Sequence, residues 1–308
     1  MADILVIGCG DIGVRVARLH RQRGDSVHAV VRSQERAMHL EEAERIATVP
    51  GNLDSLEALI KLAEAVSGKL VYYFAPPPGG GPWDSRMRNF CAALDRGHAP
   101  ARVVYISTSG VYGDCGGGWV TEETPVNATT SRARRRLDAE TVLRERGAQL
   151  GFPVVILRVT GIYGPGRLPL ARLQEGHPVV REAEAPPTNR IHADDLATVC
   201  VAAAEQGADG EIFNVSDGQP GTMTQYFNAA ADLLGLPRPP QVSMAEARQV
   251  MSPMMLSYLT ETRRMDNRRM RERLGVVLRY PDLESGLRDV IEQLGRPDMG
   301  YLGSIGHG

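Results

Sequence analysis

The feature that most constrains the fold is a glycine-rich turn, GCGDIG, at residues 8–13. An unbroken apolar run, residues 4–7, comes directly before it and is typical of a strand covered on both faces. Val14, Ala17 and Leu19 then follow at mostly helical spacing. The chain is therefore predicted to open with a β-strand, a tight turn and an α-helix.

This strand–turn–helix context favours a dinucleotide site over a glycine turn that binds nothing. Gly8 permits the tight turn, Gly10 lets a pyrophosphate approach the backbone, and Gly13 lets the helix lie close to the strand. Asp11 and Ile12 complete the turn, where the free N–H groups of the helix attract phosphate. We therefore predict that residues 8 and 10–13 bind a dinucleotide cofactor.

The end of the second predicted strand, residues 27–31, indicates which dinucleotide is preferred. NAD sites usually place an acidic residue there, whereas this chain has Arg32 and Ser33. A guanidinium forms forked, charge-assisted hydrogen bonds with a 2′-phosphate, and Ser33 adds a donor. We expect NADP(H) to be preferred over NAD(H); the alternative is a solvated arginine at the end of a strand.

The alternation of apolar runs and amphipathic stretches predicts an α/β fold with a Rossmann-type, doubly wound parallel sheet. Further strands are predicted at 70–74, 103–106, 154–157 and 211–217, and helices at 84–97 and 131–147. Ala75 and Pro76 follow the fourth strand at the carboxyl edge, where a cofactor would lie.

Beyond residue 217 the strand pattern fades and short helices dominate, which predicts a smaller, mostly helical lid over the substrate. The predicted dinucleotide-binding domain comprises residues 1–163 and 191–217. The predicted substrate-binding lid comprises residues 164–190 and 218–308.

Composition excludes several other classes of protein. The 308 residues are 43% hydrophobic and 23% charged, as in ordinary globular proteins. A net charge of -2 provides no bulk attraction to nucleic acid or to anionic membranes, and no window approaches a membrane span. The four cysteines are far apart and form no metal motif, so we expect a cytoplasmic protein without a metal.

Several motifs together resemble those of the extended short-chain dehydrogenases/reductases, in the NAD-dependent epimerase/dehydratase group. Besides the glycine turn, they are GNLD at 51–54, ISTSGVYGD at 106–114, LRVTGIYGPGR at 157–167, NRIHADDLA at 189–197 and RYPDLESGL at 279–287. They follow the family's order over nearly the whole chain. The resemblance implies the Rossmann-type fold and a nicotinamide cofactor.

The catalytic pair of that family is missing, so the resemblance is closest to the family's atypical members. The family has a Ser or Thr before VYG, matched by Thr108 with Ser109 beside it, and then Tyr-x-x-x-Lys on the next helix. Alignment on Glu140 places Arg136 at the Lys position and Arg132 at the Tyr position. No Tyr occurs between residues 112 and 163, and no Lys follows residue 69.

In the family the Tyr exchanges a proton with the substrate, while the Lys lowers the pKa of that Tyr and holds the nicotinamide ribose. The resemblance therefore implies that Arg136 binds the ribose. Arg132 cannot be an acid near neutrality, but it can clamp an anion or stabilise an oxyanion. Proton transfer would then fall to water or to one of these residues: Thr108, Ser109, Tyr112, Tyr163 or His192.

Two functions remain open at this point. The first is an NADP(H)-dependent oxidoreductase or epimerase/dehydratase-like enzyme for a small polar or anionic substrate, with Thr108, Ser109, Tyr112, Arg132 and Arg136 as catalytic candidates. The second is a non-catalytic NADP(H)-binding sensor or regulatory protein on the same fold. The resemblance is also compatible with a homodimer.

Overall fold

A computed structural model describes residues 1–294 and contains a central sheet of seven strands. In chain order the strands are β1 (Asp3–Ile7), β2 (Ser26–Val31), β3 (Ala47–Pro50), β4 (Leu70–Tyr73), β5 (Arg102–Thr108), β6 (Val154–Val159) and β7 (Ile212–Val215). They lie in the order β7-β6-β5-β4-β1-β2-β3, and every pair is parallel. The reversal beside β1 makes the sheet doubly wound, as predicted.

The described part of the chain contains twelve α-helices. They are α1 (Asp11–Gln22), α2 (Gln34–Glu42), α3 (Leu56–Val66), α4 (Ser85–Ala93), α5 (Ser131–Leu150), α6 (Leu170–Gln174), α7 (Ala193–Gln206), α8 (Met223–Leu234), α9 (Met244–Val250), α10 (Pro253–Thr260), α11 (Arg268–Leu274) and α12 (Leu283–Leu294). Helices α1 and α7 pack together on one face of the sheet, and α3, α4 and α5 pack on the other.

Burial on both faces explains why the strands lack polar alternation. All six residues of β6 are buried, and so are the residues of β1 after Asp3. Apolar groups from alternate strand positions enter two separate clusters, one under each helical layer. The sheet edge at the carboxyl ends of the strands is left for the connecting loops.

The helix ends differ from prediction where local signals decide them. Helix α4 ends at Ala93 rather than residue 97, and Asp84 caps its start by accepting a hydrogen bond from the Met87 amide. Helix α5 continues to Leu150, where Gly151 adopts a left-handed conformation that ends the helix.

The segment after residue 217 is mostly helical, as the sequence predicted, with a few two-residue strands. One of these strands, Arg264–Met265, pairs with Trp119–Val120 and joins the segment to a loop after β5. Helix α11 packs against α7 and β7, so its apolar side chains extend the core of the sheet. The division into two domains stays a prediction, and its last residues, 295–308, lie outside the described part.

No helix among residues 1–294 combines the length and the hydropathy that crossing a bilayer requires.

A buried ion pair joins α5 to β6. Arg158 and Glu140 are almost wholly buried, and the Arg158 Nη2 atom lies 2.8 Å from Glu140 Oε2. Arg158 Nη1 also donates to the Tyr112 hydroxyl at 3.1 Å, and that hydroxyl donates to Asn214 Oδ1 at 2.7 Å. Ser107 donates to the same Glu140 carboxylate. The network ties α5 to β5, β6 and β7.

Replacing Glu140 by Leu should destabilise the fold by about 3–5 kcal/mol, because Arg158 would keep a buried charge without a partner. The double variant Glu140→Leu/Arg158→Met should lose less stability than the single variant. Chemical denaturation followed by circular dichroism measures both. The control is Glu145→Gln on the exposed face of α5, expected within about 0.5 kcal/mol of wild type. A single variant as stable as this control would contradict the prediction.

Candidate functional site

The glycine turn after β1 adopts the geometry that its sequence predicts. Gly8 has φ +91°, and a Cβ atom there would lie 2.4 Å from the Ala75 backbone nitrogen. A Cβ on Gly13 would lie 3.0 Å from the Gly8 oxygen and 3.1 Å from Val6. At Gly10 a Cβ would meet no atom within 4 Å. Gly8 and Gly13 thus allow close backbone packing, whereas Gly10 leaves open space above the turn.

The start of α1 is suited to an anion. Gly10 is the N-cap, and no side chain of the described residues caps the first turn. The neighbouring Asp11 carboxylate is neutralised, because Arg15 Nε lies 2.7 Å from it and Arg167 Nε lies 2.6 Å from it. The amides and the positive end of the helix dipole therefore face open space without a competing side-chain acceptor.

This turn borders a cavity of about 420 Å³ at the carboxyl ends of the strands. The predicted cofactor-binding residues that line it are Gly8, Gly10, Asp11, Ile12, Gly13, Arg32, Ala75, Pro76 and Arg136. Ser33 does not line it: its hydroxyl caps α2 by accepting a hydrogen bond from the Arg36 amide at 3.3 Å. Since the Ser33 hydroxyl accepts that bond, its own hydrogen is still available, and its role as a donor to the cofactor stays a prediction.

One end of this cavity, beyond β2, carries three arginines and one carboxylate. Arg86 binds Asp54 with both arms of its guanidinium, at 2.9 and 2.8 Å. Arg32 is 69% exposed at its side chain and lies 4.0 Å from the same carboxylate. Arg36 donates to the Cys9 carbonyl at 2.7 Å. Since Arg86 already neutralises Asp54, this end has a surplus of positive charge.

A second cavity, of about 550 Å³, adjoins the first, and Ile162 and Arg167 line both. Its charged lining residues are Arg132, Arg167, Arg172, Arg190, Glu261 and Arg263. Five guanidinium groups against one carboxylate make this cavity strongly cationic.

Arg190 is the most deeply buried of these arginines. It stacks over Tyr226, with its Cζ atom 4.5 Å from the ring centre, and donates to Thr188 Oγ1 at 2.9 Å. Burial lowers the pKa of Arg190, partly offset by the charge of Asp217. Burial also raises the pKa of Asp217 to about 7, against the opposing effects of a hydrogen bond from the Gln219 amide and of Arg190. An anion in the cavity would relieve the electrostatic cost of burying Arg190.

The two α5 arginines share one face, as their spacing predicted. Arg136 is half-buried, donates to the Ile106 carbonyl at 2.9 Å and to the Tyr105 hydroxyl at 3.3 Å, and lines the first cavity. Arg132, one turn earlier, lines the second cavity and donates to the Tyr258 hydroxyl at 3.1 Å. The pair therefore spans both cavities.

Thr108 and Ser109 also line the second cavity, at the end of β5. The Thr108 oxygen accepts a hydrogen bond from the Gly110 amide at 3.2 Å, which holds it at the start of a short 3₁₀ turn. Both predicted hydroxyls and Arg132 thus lie around one cavity.

Three candidates for proton transfer lie elsewhere. The Tyr112 hydroxyl is held in the interior between Arg158 and Asn214, so its position does not support the predicted catalytic role. Tyr163 is buried and donates to the Asp282 carbonyl at 3.3 Å. His192 is buried too, and its Nδ1 atom caps α7 by accepting the Asp194 amide.

Sequence reasoning assigned no role to several residues of these cavities. Arg167 and Arg190 lie within two of the sequence motifs, but only the tertiary structure shows that both line the second cavity. Arg36 and Arg86 come from separate helices. Tyr258 lies in a segment without a family motif, so no sequence pattern indicated it.

Comparison with known proteins shows which family this chain matches. The family model of the NAD dependent epimerase/dehydratase family matches residues 4–216. Protein YeeZ of Escherichia coli is 27% identical over 255 residues, covering 78% of this chain and 86% of YeeZ.

Two solved structures share the fold. A functionally unknown conserved protein from Silicibacter pomeroyi has a TM-score of 0.78 and 31% identity, covering 95% of this chain and 99% of its own. UDP-glucuronic acid 4-epimerase from Bacillus cereus, solved in complex with NAD, has a TM-score of 0.74 and 19% identity, covering 96% and 100%.

The fold and the two adjoining cavities define a Rossmann-type nucleotide-binding protein. More narrowly, the chain belongs to the NAD-dependent epimerase/dehydratase family, because the family model spans more than half of it. The predicted family and fold are thereby confirmed.

The raised pKa of Asp217 predicts a pH-dependent stability. Between about pH 4 and pH 7 the folded state retains a proton on Asp217 that the unfolded state releases, so this group lowers the stability as pH rises. The variant Asp217→Asn lacks that effect. Its stability relative to wild type should therefore rise by about 2–4 kcal/mol from pH 4 to pH 8.

Urea denaturation of both proteins across this pH range measures the difference. Asn keeps the carbonyl oxygen that accepts the Gln219 amide, so loss of that hydrogen bond does not confuse the comparison. A difference independent of pH would contradict the prediction.

Proposed function

We propose that this protein is an NADP(H)-dependent enzyme that transfers hydride to or from a small anionic substrate. The supporting observation is the junction of the two cavities. The cavity at the glycine turn meets the arginine-lined cavity beside Arg167, and Arg136 and Arg132 reach one cavity each from a single helix face.

The residues at the glycine turn fit the pyrophosphate of a dinucleotide. Open space above Gly10 and an uncapped helix start are what such a group requires. The Bacillus cereus epimerase with the same fold was solved with NAD. A bound nicotinamide would supply or accept the hydride. Arg136, half-buried at the end of this cavity away from Arg32, would hold the nicotinamide ribose.

The surplus of positive charge at the end of the first cavity beyond β2 favours NADP(H) over NAD(H). The ribose of NAD is usually recognised by a carboxylate, and the carboxylate nearest here, Asp54, is already bound by Arg86. Arg32 and Arg36 then remain to bind a 2′-phosphate.

The second cavity favours an anionic substrate. Arg172 and Arg263 have lowered pKa values because burial disfavours their charge. Arg263 lies 4.0 Å from Glu261, which is a weak pairing. A carboxylate or phosphate group would compensate this charge and form bidentate hydrogen bonds.

The decisive assay follows deuteride from labelled NADPH into product. The panel comprises carboxylate-bearing and phosphate-bearing carbonyl compounds, including sugar nucleotides. Deuterium in any product supports the enzyme proposal. Saturable NADPH binding without transfer to any of them would instead indicate the non-catalytic binding protein.

Removing Arg32 and Arg36, which lie at the end of the first cavity beyond β2, tests the preference for NADP(H) over NAD(H). The variant Arg32→Ala/Arg36→Ala should bind NADPH at least about tenfold more weakly, because each charge-assisted hydrogen bond contributes about 1.5–3 kcal/mol. Its NADH affinity should change by less than about twofold. Fluorescence titration of each nucleotide measures the constants, with Arg144→Ala, exposed on α5, as control. Equal affinities of the wild-type protein for NADPH and NADH would refute the preference.

Removing Arg132 tests its part in turnover. Arg132→Ala should lower kcat about 100-fold or more, the usual effect of losing one donor to a developing negative charge. NADPH affinity should stay within about twofold, since Arg132 does not line the first cavity. Steady-state kinetics on the substrate found above measures this, again against Arg144→Ala. Unchanged kcat would exclude the role.

A further inference from the structure

The missing tyrosine of the family pattern has a counterpart on another element. Tyr258 lies on α10, and its hydroxyl oxygen accepts a hydrogen bond from Arg132 Nη1 at 3.1 Å. The Arg132 guanidinium also stacks on the Tyr258 ring, 4.7 Å from its centre. Arg132 stands where the family has its Tyr, and the phenol of Tyr258 contacts the guanidinium end of that residue.

A second contact fixes α10 against the start of α5. Glu261, the residue after α10, accepts a hydrogen bond from the Thr129 hydroxyl at 2.9 Å. Thr129 comes just before α5, and Arg132 lies in its first turn. The two contacts together hold the phenol beside the cavity that Thr108 and Ser109 line.

Reduction of a carbonyl group requires a proton donor at the cavity, and neither Arg132 nor the other two candidate tyrosines can supply it there. Arg132 keeps its proton near neutrality. The hydroxyls of Tyr112 and Tyr163 are held in the interior. Among the tyrosines of the described residues, Tyr258 lines the second cavity, and 43% of its surface is exposed.

We propose that Tyr258 is the catalytic proton-transfer residue and that Arg132 positions it. The role of the family's Tyr has thus moved from α5 to α10, while the cation stays on α5. This inference rests on the proposed hydride transfer. Because Arg132 contacts the phenol oxygen, it stabilises the negative charge left there when the proton departs.

In the reduction of a carbonyl group, the substrate carbon would take the hydride that a bound reduced nicotinamide nucleotide supplies, and that nucleotide would be oxidised by two electrons. The π pair of the C=O bond moves to oxygen, and that oxygen takes the Tyr258 proton to form an alcohol. The Tyr258 phenolate then regains a proton from water.

The test compares Tyr258→Phe, Tyr258→His and Thr260→Val. Phe keeps the ring that stacks on Arg132 but removes the transferable proton, whereas His restores a group that transfers one. Thr260 lies on the same helix outside the cavity, so Thr260→Val is the matched loss of a hydroxyl. The probe is NADPH with the panel compound that the wild-type protein reduces fastest.

Tyr258→Phe should lower kcat about 100-fold or more, the usual contribution of a general acid, with KM changed much less. The pH dependence of kcat and its solvent deuterium isotope effect should change in Tyr258→Phe and return in part in Tyr258→His. NADPH affinity, measured by fluorescence, should match wild type in all three variants.

The outcomes separate the two proposals. Hydride transfer that Tyr258→Phe sustains at the wild-type rate would overturn the role of Tyr258 and leave the proposed function intact. A loss of kcat with an unchanged pH profile would also overturn it, since a structural role suffices for that. Absence of transfer from wild-type protein to every panel compound would overturn both.

Discussion

The close approach of the Gly8 backbone to Ala75 is the contact on which the site depends. It brings the loops after β1 and β4 together at the carboxyl edge of the sheet, where parallel strands end side by side. Any side chain at position 8 would separate them. The uncapped start of α1 and the residues that line both cavities lie at this edge of the sheet.

The distribution of charge gives the site its chemical character. A chain with a net charge of -2 gathers five arginines around one cavity and three at the end of the other. The buried Arg158 is compensated by Glu140. Among the described residues no carboxylate forms an ion pair with Arg190, and uncompensated buried charge is costly unless a ligand pairs with it. Burial of Arg190 therefore lowers the stability of the fold at the position where an anion would bind.

Most of the fold and the glycine turn could be predicted, because their signals are local. Apolar runs identify buried strands, and Gly8, Gly10 and Gly13 indicate the turn without reference to distant residues. The position of Tyr112 could not be judged in this way, because its hydroxyl is held by Arg158 and Asn214, which lie on distant strands.

The sequence alone determined the order of strands and helices, the family, the glycine-rich turn and the absence of Tyr-x-x-x-Lys, since patterns of neighbouring residues carry each of these signals. The tertiary structure alone decided that Tyr258 meets Arg132, that Asp54 is neutralised by Arg86, and that Arg190 faces a cavity. These contacts join residues dozens of positions apart. Packing at the sheet edge determines which of these residues meet, and hydrophobic periodicity carries no information about that packing.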